Sequence, residues 1–210
     1  MSFEQDPDVR TKRGGFSRRG LLKSIGVTSG VGLLEKGAEA QTPANVQGPG
    51  EVPITLNLNG KPVKVAVEPR TTLLDALRDK LDMTGAKRVC DRGTCGACTV
   101  IVDGKAMYAC TMLAIDAQGR KIRTIESLSA GASPHPMVKA FVNNDAQQCG
   151  YCTPGFVMAA TNFVERSAGA VTEAQAMDGL GGNLCRCGTY MGIRKAVVEA
   201  AKEMKGARNG

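Results

Sequence analysis

The chain has 210 residues, a formal net charge of +7, 42% hydrophobic residues and only 4% aromatic ones, with no Trp. That is enough apolar material for one or two small cores, and it leaves few aromatic platforms on which single-stranded nucleic acid could stack. The only histidine, His135, excludes sites in this chain that need two, such as a Rieske centre or a Cys₂His₂ zinc finger.

The positive charge is weak evidence for a nucleic-acid partner. Residues 1–40 hold seven Lys/Arg and five Asp/Glu, which leaves +5 on the rest of the chain. Metal held on the thiolates of the chain's eight cysteines would offset much of what remains. His135 stands between Pro134 and Pro136 and reads as a structural or surface histidine.

In chain order, residues 1–40 read as an export signal. Ser17-Arg18-Arg19-Gly-Leu-Leu-Lys23 is a twin-arginine pattern. The apolar run over 25–34 is too short to span a bilayer, so no stable membrane span is expected. Ala38-Glu39-Ala40 is a small-residue cleavage site, with a mature start at Gln41 in the periplasm. Twin-arginine export carries folded proteins, so it would suit a chain that takes up a cofactor before export. Residues 41–51 form a linker rich in Pro, Gly and Gln.

Residues 54–58 alternate as a half-buried strand does, Asn59-Gly60 is a tight hairpin signal, and residues 63–67 supply the return strand. Thr72 caps a helix with Leu73, Leu74, Leu77 and Leu81 on one side. Residues 100–102 form a strand that turns at Asp103-Gly104, and residues 122–125 a last short strand. These elements, residues 52–126, suggest a small sheet packed on one helix, with a cysteine loop at its edge.

Residues 127–136 read as a second linker, after which the period becomes helical through residues 137–206. Residues 137–142 are amphipathic. Thr153-Pro154 reads as a cap followed by a first-turn proline. Phe156, Ala160, Phe163 and Val164 share a face. Thr172 with Gln175 is a capping box for a helix ending near Gly181-Gly182. Ile193, Val197, Ala201 and Met204 stripe a last helix. The fold class is therefore α+β, a sheet-and-helix unit followed by a small helical bundle.

All eight cysteines fall into two sets of four. Cys90, Cys95, Cys98 and Cys110 are spaced C-x₄-C-x₂-C-x₁₁-C, while Cys149 and Cys152 are separated by 32 residues from Cys185 and Cys187. Three chemistries compete for them. Disulfides would suit an exported chain, but Cys185 and Cys187 are too close to pair without strain. Two Cys₄ zinc sites are allowed by the C-x₂-C halves, although zinc sites usually join two short hooks. C-x₄-C-x₂-C followed by a distant Cys is the plant-type spacing for a [2Fe-2S] cluster, and Gly93 and Gly96 would let the backbone approach the inorganic sulfides.

Cys90-Asp-Arg-Gly-Thr-Cys-Gly-Ala-Cys98, Gln148-Cys-Gly-Tyr-Cys-Thr-Pro-Gly155 and Gly182-Asn-Leu-Cys-Arg-Cys-Gly-Thr-Tyr190 resemble the iron–sulfur subunit of the molybdenum hydroxylases, the family of xanthine dehydrogenase and aldehyde oxidoreductase. The resemblance covers residues 52–206 and is most marked to the small subunits of periplasmic aldehyde dehydrogenase complexes. It implies a β-grasp ferredoxin-like domain and a four-helix domain, each holding one [2Fe-2S] cluster on its four cysteines.

It further implies a large partner subunit that carries the molybdenum cofactor. Electrons would enter at the helical-domain cluster and leave from the ferredoxin-domain cluster, to a flavin (FAD) subunit or a c-type cytochrome. Gln148 and Cys187 would contact the pterin of the molybdenum cofactor. Substrate chemistry would lie on the partner, so no residue of this chain is expected to be catalytic. Aldehyde is the expected substrate, with an isoquinoline- or nicotinate-type heterocycle as the alternative. A free-standing two-cluster carrier is the rival outside the enzyme class, and it explains the second domain less well. The family has Gly before the first cysteine where this chain has Val89, which bears on the conformation of that loop and the potential of that cluster.

Overall fold

The structure is a computed structural model that describes residues 48–130 and 133–206, all within one compact unit, Gln47–Gly210. The expected export signal lies outside the described residues.

Strands β1 (Val52–Leu58) and β2 (Lys61–Val67) form an antiparallel hairpin in which Leu58 faces Lys61. Only two residues are left for the turn. Asn59 and Gly60 both take positive φ, 51° and 80°, as a type I′ turn requires. A second hairpin joins β3 (Thr99–Val102) to β4 (Lys105–Tyr108) through Asp103 and Gly104, at φ 48° and 75°. Strand β5 (Lys121–Arg123) runs parallel to β1 and antiparallel to β3, giving the order β2-β1-β5-β3-β4.

The turn residues also fasten β5. The Asn59 side chain accepts from Thr124 N and donates to Thr124 Oγ1, both at 2.9 Å. Asp103 Oδ1 accepts from Lys121 N at 2.9 Å.

Helix α1 begins as an α-turn at Leu73–Asp75 and continues with wider π-type turns over Ala76–Lys80. Thr72 caps it by accepting from Asp75 N. Its Leu73, Leu74 and Leu77 are buried against Ile54, Leu56, Val67, Val100, Val102 and Ile122, while Leu81 follows the helix and is only partly buried.

The remaining helices are α2 (Glu126–Ser129), α3 (Pro136–Asn143), α4 (Thr153–Arg166), α5 (Glu173–Gly179) and α6 (Tyr190–Gly206). The stretch expected as a linker holds α2, whose Leu128 is buried in the helical core. His135 caps α3, its Nδ1 accepting from Met137 N at 3.2 Å. Burial, helped by the charge of Arg123, lowers its pKa and favours the neutral ring that can accept. The capping box of Thr172 and Gln175 is complete at α5. Thr153 differs from expectation. It is the first residue of α4 rather than its cap, and its Oγ1 is buried with no partner. No helix among the described residues is long and apolar enough to cross a membrane.

The two halves pack directly. All four residues of β3 are buried, because the strand is covered on both faces. Val100 and Val102 join the sheet core under α1, and Ile101 joins the helical core. Helix α4 lies on that second face and buries nine of its 14 residues. Asn162, 5% exposed, holds the edge of the sheet, its Oδ1 accepting from Ala106 N at 3.0 Å and its Nδ2 donating to Gly104 O at 2.8 Å. Replacing it with alanine strands two backbone groups, at a cost of about 2 kcal/mol. For a chain of this size, calorimetry should then show Tm falling by roughly 4–8 °C. An unchanged Tm would mean that water satisfies this edge equally well.

Candidate iron–sulfur sites

The first cysteine loop is held from below. Arg78 donates to Thr84 O and Ala86 O, both at 2.8 Å. Arg88 pairs with Asp75 and Asp79 of α1. Glu126 Oε1 accepts from Gly85 N at 2.9 Å. Above these anchors the chain turns through Asp91, Gly93 and Gly96, at φ 53°, 71° and 69°. Cys90 and Cys95 are partly exposed, whereas Cys98 at the foot of β3 and Cys110 beyond β4 are buried. Thr94 N points at Cys90 Sγ, 3.4 Å away. Val89 is 56% exposed and is not among the positive-φ residues. Valine is accommodated there because its side chain faces solvent and its backbone is not left-handed.

The second set joins two segments. Cys149 and Cys152 precede α4, and Cys185 and Cys187 precede α6. Cys185 is buried, with its Sγ 3.2 Å from Thr189 Oγ1 and its N donating to Tyr190 Oη at 2.8 Å. Tyr190 in turn meets Phe156 of α4 edge-on, with ring centroids 6.2 Å apart. Cys149, Cys187 and Gln148 are exposed.

All eight thiols are free. Among the described residues, no three His, Cys, Asp or Glu side chains converge as the shell of a single metal ion would require. The thiols interact most strongly in twos, Cys90 with Cys95, Cys98 with Cys110, Cys149 with Cys187 and Cys152 with Cys185, and more weakly across each set of four, as Cys98 does with Cys95 and Cys152 with Cys149. A Cys₄ zinc site needs four sulfurs around one ion. A [2Fe-2S] cluster needs two on each of two irons, and the arrangement fits that need.

Each set mixes thiols that ionise readily with thiols that resist. Hydrogen bonds from the Thr94 side chain and the Arg92 backbone bring Cys90 down to about 6. Burial pushes Cys98 and Cys152 up to about 12. Burial also raises Cys185, but hydrogen bonds with Thr189, Cys152 and Cys187 together outweigh it and bring this thiol down to about 7. Iron binding to such sets must expel protons from the buried thiols.

The two loops are bolted together. Leu184 N donates to Cys95 O at 2.9 Å. Asn183 Nδ2 donates to Gly96 O at 2.9 Å, and Tyr108 Oη to Gly182 O at 2.8 Å. Tyr151, between Cys149 and Cys152, lies against the strand of chain entering Cys90, with the Lys87 ammonium 5.9 Å from its ring centroid. Asn183, Thr189 and Tyr190 stand inside the motif around Cys185 and Cys187, so the sequence marked them without revealing what they touch. A Cβ on Gly96 would lie 2.5 Å from Asn183 Nδ2. Glycine is therefore required there by the neighbouring loop as well as by its φ.

Residues 56–121 match the family "2Fe-2S iron-sulfur cluster binding domain", and residues 124–198 the family "[2Fe-2S] binding domain". The chain is 38% identical to the aldehyde oxidoreductase iron-sulfur-binding subunit PaoA of Escherichia coli (strain K12), over 90% of each chain. It is 44% identical to the nicotine 6-hydroxylase small subunit of Paenarthrobacter nicotinovorans, over 76% of this chain and 94% of that one. Among solved structures, quinoline 2-oxidoreductase from Pseudomonas putida 86 superposes with a TM-score of 0.71 at 38% identity, covering 76% of this chain and 98% of that chain. With a ferredoxin-like domain, a helical domain and a [2Fe-2S] family match on each, the chain belongs to the family of iron–sulfur subunits of the molybdenum hydroxylases.

Proposed function

We propose that this chain is the electron-relay subunit of a periplasmic molybdenum-dependent aldehyde oxidoreductase. Cys90, Cys95, Cys98 and Cys110 hold one [2Fe-2S] cluster, and Cys149, Cys152, Cys185 and Cys187 hold the other. Each cluster, when bound, takes up and gives up one electron at a time. The chain's own part is to hold two ligand sets in one rigid body, through the Leu184–Cys95 and Asn183–Gly96 hydrogen bonds, and to turn the second set outward. Gln148, Cys149 and Cys187 are exposed together on that side, which supports a contact of Gln148 and Cys187 with the pterin held by the large subunit. The first set faces the acceptor, a flavin subunit or a c-type cytochrome.

The observation that carries the aldehyde reading is the match to the Escherichia coli subunit over 90% of both chains. Residues 47–210 make up less than four-fifths of the chain, so that alignment runs into the first 46 residues. Twin-arginine export through Arg18 and Arg19, with cleavage before Gln41, rests on the sequence pattern of residues 17–40. A second reading, an N-heterocycle dehydrogenase, is favoured by the 44% identity to the nicotine 6-hydroxylase small subunit.

The test is a metal and acid-labile sulfide count on the complex isolated from the periplasm. The expected result is about four iron and four sulfide per copy of this chain, with molybdenum in a co-purifying large subunit. About two zinc and no sulfide would overturn the relay. Turnover of aldehydes against N-heterocycles by the same preparation decides between the two readings.

A further inference from the structure

At the end of the helical half nearest Cys185, four large apolar side chains stand in solvent. Met177, Leu184, Tyr190 and Met191 are 54%, 54%, 40% and 58% exposed. Three of them, Met177, Leu184 and Tyr190, line a cavity of about 150 Å³ together with Arg194.

Among the described residues the guanidinium of Arg194 meets sulfur and no oxygen. One terminal nitrogen lies 3.6 Å from Met177 Sδ and the other meets Met191 Sδ. Its Nε is buried and meets no partner among the described residues. Thioether sulfur is a weak acceptor, whereas guanidinium presents a planar fork of donors suited to a carboxylate. Among the described residues Arg194 enters no ion pair.

Size and charge narrow the occupant. Small-molecule sites run to roughly 300–1,000 Å³, so this cavity suits a single side chain. Its lining holds a cation and no acid. A second copy of this chain, meeting the patch about a two-fold axis, would set it against itself and bring Arg194 towards Arg194. An exposed methionine-rich surface around a central arginine is instead the composition of a protein interface. It is also continuous with the second cysteine set, since Leu184 precedes Cys185 and the Tyr190 hydroxyl accepts from Cys185 N.

We propose that this patch seats the large molybdenum-binding subunit, and that Arg194 receives one Asp or Glu side chain from it. The proposal rests on the relay function given above. It is tested on the full chain with its clusters, by titration with the molybdenum subunit in sedimentation velocity. Arg194→Glu should weaken association about a hundredfold, as loss of one partner of a buried interfacial charge pair does, with iron and sulfide content unchanged. If that variant loses its clusters, Met191→Asp, at a 58% exposed position, gives the same readout. In the unmodified complex, Met177 and Met191 should resist oxidation by peroxide and regain reactivity on dissociation. Variants that assemble as tightly as the unmodified chain, or methionines that oxidise equally fast in the complex, would overturn the seat. An unmodified chain that fails to bind the molybdenum subunit would overturn the relay function instead.

Discussion

Replacing Cys187 with alanine should halve the iron and sulfide content of the purified chain and remove one of its two electron paramagnetic resonance signals, leaving the other intact. The position makes the experiment clean. Cys187 is exposed and lies against Cys149. A surface cysteine with no ligand role could be lost for within about 0.5 kcal/mol, so Tm of the cluster-free protein should scarcely move. As a ligand, its loss leaves one iron with a single thiolate, Cys149, and a two-iron cluster so held should not survive purification. The first set, Cys90, Cys95, Cys98 and Cys110, is untouched by the change, which is why its signal is the internal control. Turnover of the complex should fall with the lost signal, because the proposed relay takes up electrons at that site. Two undiminished signals would remove Cys187 from the ligand set, and with it the assignment of that face to the molybdenum subunit.

What could be read from the sequence was whatever a local pattern encodes. The two hairpin turns are written in Asn59-Gly60 and Asp103-Gly104, because two residues at positive φ can be filled by few residue types. The α5 cap is written in Thr172 and Gln175, since both partners of the box lie within one turn. The division of the cysteines is written in their spacing. What could not be read is what each element rests on. Asn162 looks like a polar residue on a helix, yet it is 5% exposed and completes the edge of a strand 56 residues away. Strand β4 is mostly exposed and shows no alternation, so the Asp103-Gly104 turn implies a return strand but only its pairing with β3 gives its bounds. Parallel pairing of β1 with β5 joins segments more than 60 residues apart, which no local window sees. The same limit applies at the sites. The thiols could be counted from the sequence, but their meeting in twos and the hydrogen bonds between the loops could not. By residue type Thr153 reads as a cap, whereas the helix takes it as its first residue and leaves its hydroxyl without a partner among the described residues.

Gly155→Ala should damage both sites at once, although Gly155 is no ligand. A Cβ on this residue would lie 2.3 Å from Gly96 O and about 3 Å from the Ala97 backbone. These are main-chain atoms, which cannot swing aside as the end of a long side chain can, so α4 must move off the first cysteine loop. Gly96 O is already engaged by Thr99 N at 3.1 Å, Thr99 Oγ1 at 2.6 Å and Asn183 Nδ2 at 2.9 Å, so the loop can yield to the new methyl only by straining these bonds. The cost should be about 3 kcal/mol, at the upper end for overpacking, which lowers Tm by roughly 6–12 °C in a chain of this size. Because Cys152 adjoins the start of α4 while Cys95 and Cys98 flank Gly96, both resonance signals should broaden or shift. Gly119→Ala provides the comparison. Nothing lies within 4 Å of a Cβ there, and its φ of +77° makes the penalty one of backbone conformation alone, about 1–2 kcal/mol. It should lower Tm without touching either signal. If Gly155→Ala also leaves both signals unchanged, the contact between α4 and the first loop does not hold the two sites in register, and the Leu184–Cys95 and Asn183–Gly96 hydrogen bonds must do so alone.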